Sequence, residues 1–203
     1  MRIIETHAAP NPRRVSVFLK EKGVEVPREE RDLMAGDLKA PDFTRLNPWQ
    51  RVPLLVLDDG RIIAESVAIC RFFEEICPEP PLFGVDAFEK AQVEMWNRRA
   101  ELGLFNSVAS VFRHLHPKMA SLETPQVAAW GEANKEKVRC ELDRLDTRLA
   151  ESAYVAGDRY SIADITALVA VDFMKPSRLG TPDAHPNVMR WYREVSSRPS
   201  ALV

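Results

Sequence analysis

Two hydrophobic rhythms share this chain and divide it near residue 77. Arg2-Ile3-Ile4-Glu5 reads as a short strand, and the loop His7-Ala8-Ala9-Pro10-Asn11-Pro12 follows it. Val15, Phe18 and Leu19 then fall on one helical face, with Lys20 and Lys22 suited to the C-terminal dipole and Gly23 closing the helix. Residues 24–33 read as a second strand, which Pro27 places at a sheet edge. A helical turn over residues 41–46 leads to Asn47-Pro48. Residues 54–57 and 61–64 flank Asp58-Asp59-Gly60, an Asp-Gly hairpin signal. Residues 66–76 form a helix with Ile69, Cys70, Phe73 and Ile76 as its buried stripe. The order is β-α-β-α-β-β-α.

After that the spacing is helical throughout. Residues 78–84, rich in proline, are a stiff linker, so the expected organisation is an α/β domain over residues 1–77, a linker over 78–85 and an all-α helical bundle over 86–203. One long helix is expected from Asp86 to His116, ended by Pro117. Thr124-Pro125 reads as the cap and first position of the next helix, whose seam runs Val127, Trp130, Val138, Leu142, Leu145 and Leu149, interrupted by Asn134. Ser161-Ile162-Ala163-Asp164 reads as a structural capping box with Tyr160 and Ile165 as a hydrophobic staple. Pro186 opens a last helix carrying Val188, Met189, Trp191, Tyr192 and Val195.

Composition narrows the class. Of 203 residues, 45% are hydrophobic and 29% charged, as in an ordinary globular protein. A net charge of −2 and a pI near 6.1 argue against a nucleic-acid footprint. No apolar run reaches the roughly 18 residues of a membrane span, and the first residues lack a signal-peptide core, so a cytoplasmic protein without membrane contact is expected. Cys70 and Cys77 lie too far apart on one helix for a disulfide, Cys140 stands alone, and no C-x-x-C occurs. The four histidines do not converge, and no metal site is expected.

Chemistry concentrates around Val52-Pro53 and Glu65-Ser66. A proline just before an apolar strand cannot donate to a ladder, and an acidic residue and a serine fall where free N–H groups collect at the next helix. Such a turn beside a polar helix opening can grip an extended peptide-like ligand; the same residues also suit a buried hairpin followed by an N-capped helix. Asn47-Pro48-x-x-Arg51-Val52-Pro53-Leu54-Leu55, Glu65-Ser66-x-Ala68-Ile69, Ser161-Ile162-Ala163-Asp164, His185-Pro186-Asn187-x-x-x-Trp191 and Arg198-Pro199 together resemble the soluble glutathione S-transferase family over nearly the whole chain. In motif style they are closest to its serine- and cysteine-type classes (theta, zeta and omega). The resemblance implies a thioredoxin-like N-terminal domain, glutathione as co-substrate, a small electrophilic or hydrophobic second substrate, and a homodimer.

By that resemblance Val52 pairs its backbone N–H and C=O with the cysteinyl part of glutathione, across a cis peptide to Pro53. Glu65 takes the γ-glutamyl ammonium and Ser66, with its helix N-terminus, the carboxylate. Gln50 and Arg51 meet the glycyl end, although Arg51 equally suits a solvated surface charge. The family position that carries serine or cysteine, five residues before Arg14-Val15, holds Ala9 here. Pro10 and Pro12 lack N–H groups, which leaves the amides of Ala9, Asn11 and Arg13 and the Asn11 carboxamide to stabilise a thiolate. Asn11 is the candidate catalytic donor; the competing reading makes it the cap of a helix opening at Pro12. His7 is a second candidate, and Arg13 and Arg14 add positive field.

The second substrate is expected against the long helix, where Trp96, Arg99, Gly103 and Asn106 share a face; Trp96, Leu102 and Phe105 equally read as core. The expected function is thiol transfer from glutathione to an electrophile. The alternative, motivated by Ala9, is a non-catalytic glutathione-binding or protein-interaction module on the same fold.

Overall fold

The computed structural model describes residues 1–7 and 9–203; Ala8 of the expected first loop lies outside them. The chain divides into two compact units, Met1–Pro81 together with Val203, and Leu82–Leu202.

The first unit is a thioredoxin-like α/β layer. Its order is β1 (Arg2–Glu5), α1 (Pro10–Lys22), β2 (Arg28–Glu30), α2 (Pro41–Leu46), β3 (Leu54–Val56), β4 (Ile62–Ala64) and α3 (Ser66–Ile76). The sheet runs β2-β1-β3-β4, with β1 parallel to β2 and both other pairs antiparallel. Register sets Ile3 opposite Leu55 and Ile4 opposite Leu54, so alternate residues serve opposite faces. Ile4, Leu54 and Val56 bury one face with Leu38 and with Phe43 of α2. Helices α1 and α3 pack on each other, burying Val15, Phe18, Ile69 and Phe73. Gly23 ends α1 at φ 65°, and Gly60 turns the hairpin at φ 84°.

Two expectations change here. The second strand covers only residues 28–30 rather than 24–33, although it is an edge strand as Pro27 implied. The Asp32 carboxylate accepts from the N–H groups of Met34 and Ala35 and bends the chain off the sheet. Ile76 is 50% exposed, so the buried stripe of α3 ends at Phe73.

The second unit is all helical. α4 (Ala87–Arg99) opens on Asp86, whose carboxylate accepts from Glu89 N–H, and runs through a π-helical segment, Ala100–Phe105, into α5 (Asn106–Leu115). α6 (Ala128–Ala150), α7 (Ile162–Met174) and α8 (Pro186–Ser196) follow. The buried helix α7 begins at the expected capping box: Ser161 Oγ accepts from Ala163 N–H, and Asp164 accepts from Ser161 N–H. Asp164 also accepts from Val155 N–H and from Trp191 Nε1 of α8, both at 2.9 Å. Burial pushes its carboxyl up to about 6, against these three donors and the Ser161 hydroxyl, which also donates to it.

Helix α6 starts at Ala128, not at Thr124-Pro125. Gln126 spends its amide on the Arg113 and His116 carbonyls at the end of α5, and Val127 N–H reaches His114 Nδ1, which keeps this segment extended. Val127 and Trp130 are therefore half exposed, while Val138, Leu142, Leu145 and Leu149 form the buried seam. Asn134 is buried within it, its Nδ2 donating to Trp130 C=O. Leu102, one of the expected core positions, is 59% exposed. No helix among the described residues is long and apolar enough to cross a membrane.

Candidate functional site

Helix α1 opens two residues earlier than an Asn-Pro cap requires. Its first residue is Pro10 and its N-cap is Ala9, which has extended backbone and no side chain to offer. Asn11 therefore lies inside the first turn and does not cap it. The Ala9 N–H donates to Thr6 C=O at 2.9 Å and the Arg13 N–H to Ala9 C=O at 3.2 Å, so both are spent. Pro10 and Pro12 have none. Among the described residues, the Asn11 N–H is the one amide of this turn left without an acceptor. The positive dipole end of a 13-residue helix thus presents a single backbone donor, with the Asn11 carboxamide beside it.

Helix α3 opens differently. Glu65 precedes it at φ 69°, a conformation rare for a residue with a side chain, and its carboxylate is exposed. No side chain caps the helix, and Ser66, Val67 and Ala68 offer three N–H groups before Ile69 bonds back to Glu65 C=O. The two helix openings are joined by side chains. Arg14 Nη1 donates to Ser66 Oγ at 2.9 Å, and Ser66 Oγ lies 3.4 Å from Asn11 Oδ1. Arg14 is fully buried and Ser66 nearly so.

The Val52–Pro53 peptide is cis. Val52 is half buried, and among the described residues neither its N–H nor its C=O is bonded. The loop before it is shaped by buried Asn47, whose Nδ2 donates to Arg51 C=O and whose Oδ1 accepts from Trp49 N–H. Gln50 sits at φ 54° with its amide donating to Thr44 Oγ1. Arg51 is exposed and has no carboxylate partner among the described residues. His7 belongs elsewhere: it lines a cleft of about 350 Å³ with Glu5, Ser16, Lys20 and Arg28.

In the helical unit the expected quartet is split. Trp96, Arg99 and Gly103 line a cavity of about 610 Å³ with Leu104, Leu145 and Val155; Asn106 lines a neighbouring one of about 440 Å³, and Gly103 borders both. The Arg99 and Arg148 guanidinium groups both lie against the Trp96 ring, 4.6 and 4.9 Å from its centroid. A Cβ on Gly103 would stand 2.7 Å from Glu141 Oε2, the far end of a side chain that can move aside.

Sequence reasoning missed Arg14 as a contact and gave it only a field. A signal was present: Arg14 and Lys22 flank Phe18 at i−4 and i+4, which puts two basic residues on the buried stripe of α1. Buried Cys70 is not a nucleophile, since burial pushes its thiol up to about 12. No cluster of three or more His, Cys, Asp or Glu side chains fit for a metal occurs among the described residues.

Comparison with known proteins agrees with this geometry. Residues 8–76 match the glutathione S-transferase N-terminal domain and residues 110–199 its C-terminal domain. Glutathione S-transferase 2 of Saccharomyces cerevisiae is 36% identical over 203 residues, spanning 98% of this chain and 87% of that one. The crystal structure of a glutathione S-transferase domain-containing protein from Marinobacter aquaeolei superposes with a TM-score of 0.95 at 37% identity, covering 98% and 99% of the two chains. A Gtt2-class glutathione S-transferase of Vibrio parahaemolyticus gives 0.87 at 39% identity, covering 98% and 94%. With the two-unit fold, the open backbone at Val52 and the uncapped start of α3 in place, the chain belongs to the glutathione S-transferase family and is a glutathione transferase.

Proposed function

We propose that the first unit holds glutathione extended along Val52, with its γ-glutamyl carboxylate on the α3 amides and its ammonium on Glu65, and that Asn11 stabilises the thiolate. The observation that carries this is the opening of α1, where among the described residues the Asn11 N–H has no acceptor, its carboxamide lies beside it and no side chain caps the helix. A free thiol near pKa 8.5 is mostly protonated at neutral pH, so two charge-assisted hydrogen bonds at a positive helix end favour the anion. The thiol proton leaves to solvent, the sulfur forms a bond to the electrophilic carbon, and the leaving group departs with its electron pair. The motif style is that of the serine- and cysteine-type classes, with the donor moved from position 9 to Asn11. Ala9 cannot form a mixed disulfide, so conjugation rather than thiol exchange on the protein is the reaction supported.

An ultraviolet difference titration of bound glutathione between pH 5 and 10 tests the assignment. A thiol pKa well below that of free glutathione, returning towards it in Asn11→Ala, is expected. Binding with an unshifted pKa overturns the thiolate role, and no binding at millimolar glutathione overturns the whole reading. Ala9→Ser leaving turnover unchanged is the further sign of a donor already in place.

We also infer that a second copy covers one face of α4. Phe88 and Met95 of α4, with Leu102 of the π-helical segment that continues it, are large apolar side chains 74%, 38% and 59% exposed. The cavity beside Trp96 is lined in part by Leu102, so a second copy and the second substrate compete for it. Leu102→Glu separates them: a monomer by light scattering with unchanged KM for the electrophile supports the dimer face. A raised KM with unchanged assembly assigns the cavity to substrate.

A further inference from the structure

We propose that Arg14 is a positioning residue that fixes the Asn11 carboxamide through the Ser66 hydroxyl; this rests on the thiolate role assigned to Asn11. The argument is one of donors and acceptors. A guanidinium only donates, so in the 2.9 Å contact between Arg14 Nη1 and Ser66 Oγ the serine oxygen accepts. The single hydroxyl hydrogen must then point elsewhere, and Asn11 Oδ1 lies 3.4 Å away. An oxygen that accepts from Ser66 leaves the Asn11 NH2 group turned from Ser66, free to donate to an anion before the helix. Burial of Arg14 and Ser66 denies both a choice of water partners, so direction is imposed from below.

This relay links three positions that the sequence separates, two on α1 and one at the start of α3. It gives the Ser66 hydroxyl an orienting duty, while the backbone N–H groups of α3 are left to take the ligand carboxylate. A carboxamide free to rotate must be ordered by the thiolate itself before it can donate. A fixed one presents only N–H.

The test reads bound-thiol pKa at saturating glutathione, with the dissociation constant measured separately. Ser66→Ala is expected to raise that pKa by about one unit. In an Asn11→Ala background the same substitution is expected to add nothing, because the relay ends at Asn11. Arg14→Met is expected to raise the pKa in the otherwise unaltered protein and to do so much less in the Ser66→Ala background. If Arg14→Met does not fold, the Ser66–Asn11 pair decides alone. A Ser66→Ala shift that persists undiminished without Asn11, or no shift in a protein whose bound thiol is otherwise activated, overturns the relay. An unshifted thiol in the unaltered protein overturns instead the thiolate role on which it stands, and the relay with it.

Discussion

Lys22 ends α1 with its ammonium 2.5 Å from the Glu74 carboxylate of α3, and none of its side-chain surface reaches solvent. The same nitrogen donates to the carbonyls of Pro78 and Pro80, so one buried cation ties the end of one helix to the chain leaving another. Lys22→Met removes from the Glu74 carboxylate and the two carbonyls the ammonium they share. Removing one partner of a buried pair costs about 3–5 kcal/mol. A urea midpoint unchanged in Lys22→Met would contradict the clamp.

Two helical glycines make opposite predictions. A Cβ on Gly131 would stand 2.5 Å from Leu115 Cγ, inside the α5–α6 contact. Gly131→Ala is expected to destabilise by about 1–3 kcal/mol through overpacking. At Gly103 the obstacle is the end of the Glu141 side chain, which can swing outward, and alanine recovers about 1 kcal/mol of helix propensity. Gly103→Ala is expected to lie within about 1 kcal/mol of the original, as thermal unfolding would show.

Asp164 gives a pH dependence with a definite sign. Folded, its carboxyl titrates near about 6, and in the unfolded chain it titrates near about 3.9. Between those values the folded chain binds the proton more tightly, so this group adds stability as pH falls through the window. Raising the pH from 4 to 6 removes that contribution at up to about 1.4 kcal/mol per unit, and above 6 it stays flat. The stability of the unaltered protein relative to Asp164→Asn should therefore rise between pH 6 and 4. A flat difference in urea unfolding across that range would refute it.

Thiol labelling should distinguish the three cysteines. Cys70 is buried with its thiol pushed up to about 12, whereas Cys77 and Cys140 are partly exposed. At pH 8 an aromatic disulfide reagent is expected to modify two thiols in the folded protein and three in guanidinium. Rapid native labelling of Cys70, located by mass spectrometry of peptides, would count against the packing of α1 on α3.

Most of the fold was legible because period and punctuation agreed: Gly23, Gly60 and Ser161 stop or start elements where the apolar spacing changes. What was not legible depended on side chains reaching across sequence. Asp32 shortened β2, and Gln126, by turning to the carbonyls of α5, delayed α6. The second-substrate quartet divides between two neighbouring cavities for another reason. Residues 100–105 are π-helical, so positions beyond them lag an uninterrupted α-helix by about 100°, and Asn106 leaves the Trp96 face. No residue pattern announces that extra residue per turn. At the candidate site, Val52-Pro53 and Glu65-Ser66 were readable as a motif. The contact from Arg14 to Ser66 spans 52 positions and needed the packed pair of helices to appear.

The proline pair at the start of α1 has a spectroscopic consequence. Pro10 and Pro12 contribute no amide resonance, and the neighbouring Ala9 and Arg13 amides are bonded inward. In a proton–nitrogen correlation spectrum the open donors at the mouth of this helix are therefore reported by the Asn11 amide peak and its side-chain NH2 pair, beside the bonded Ala9 and Arg13 amides. Ionisation of a sulfur placed there is expected to shift those Asn11 resonances, which makes one residue a built-in probe of the chemistry in front of it.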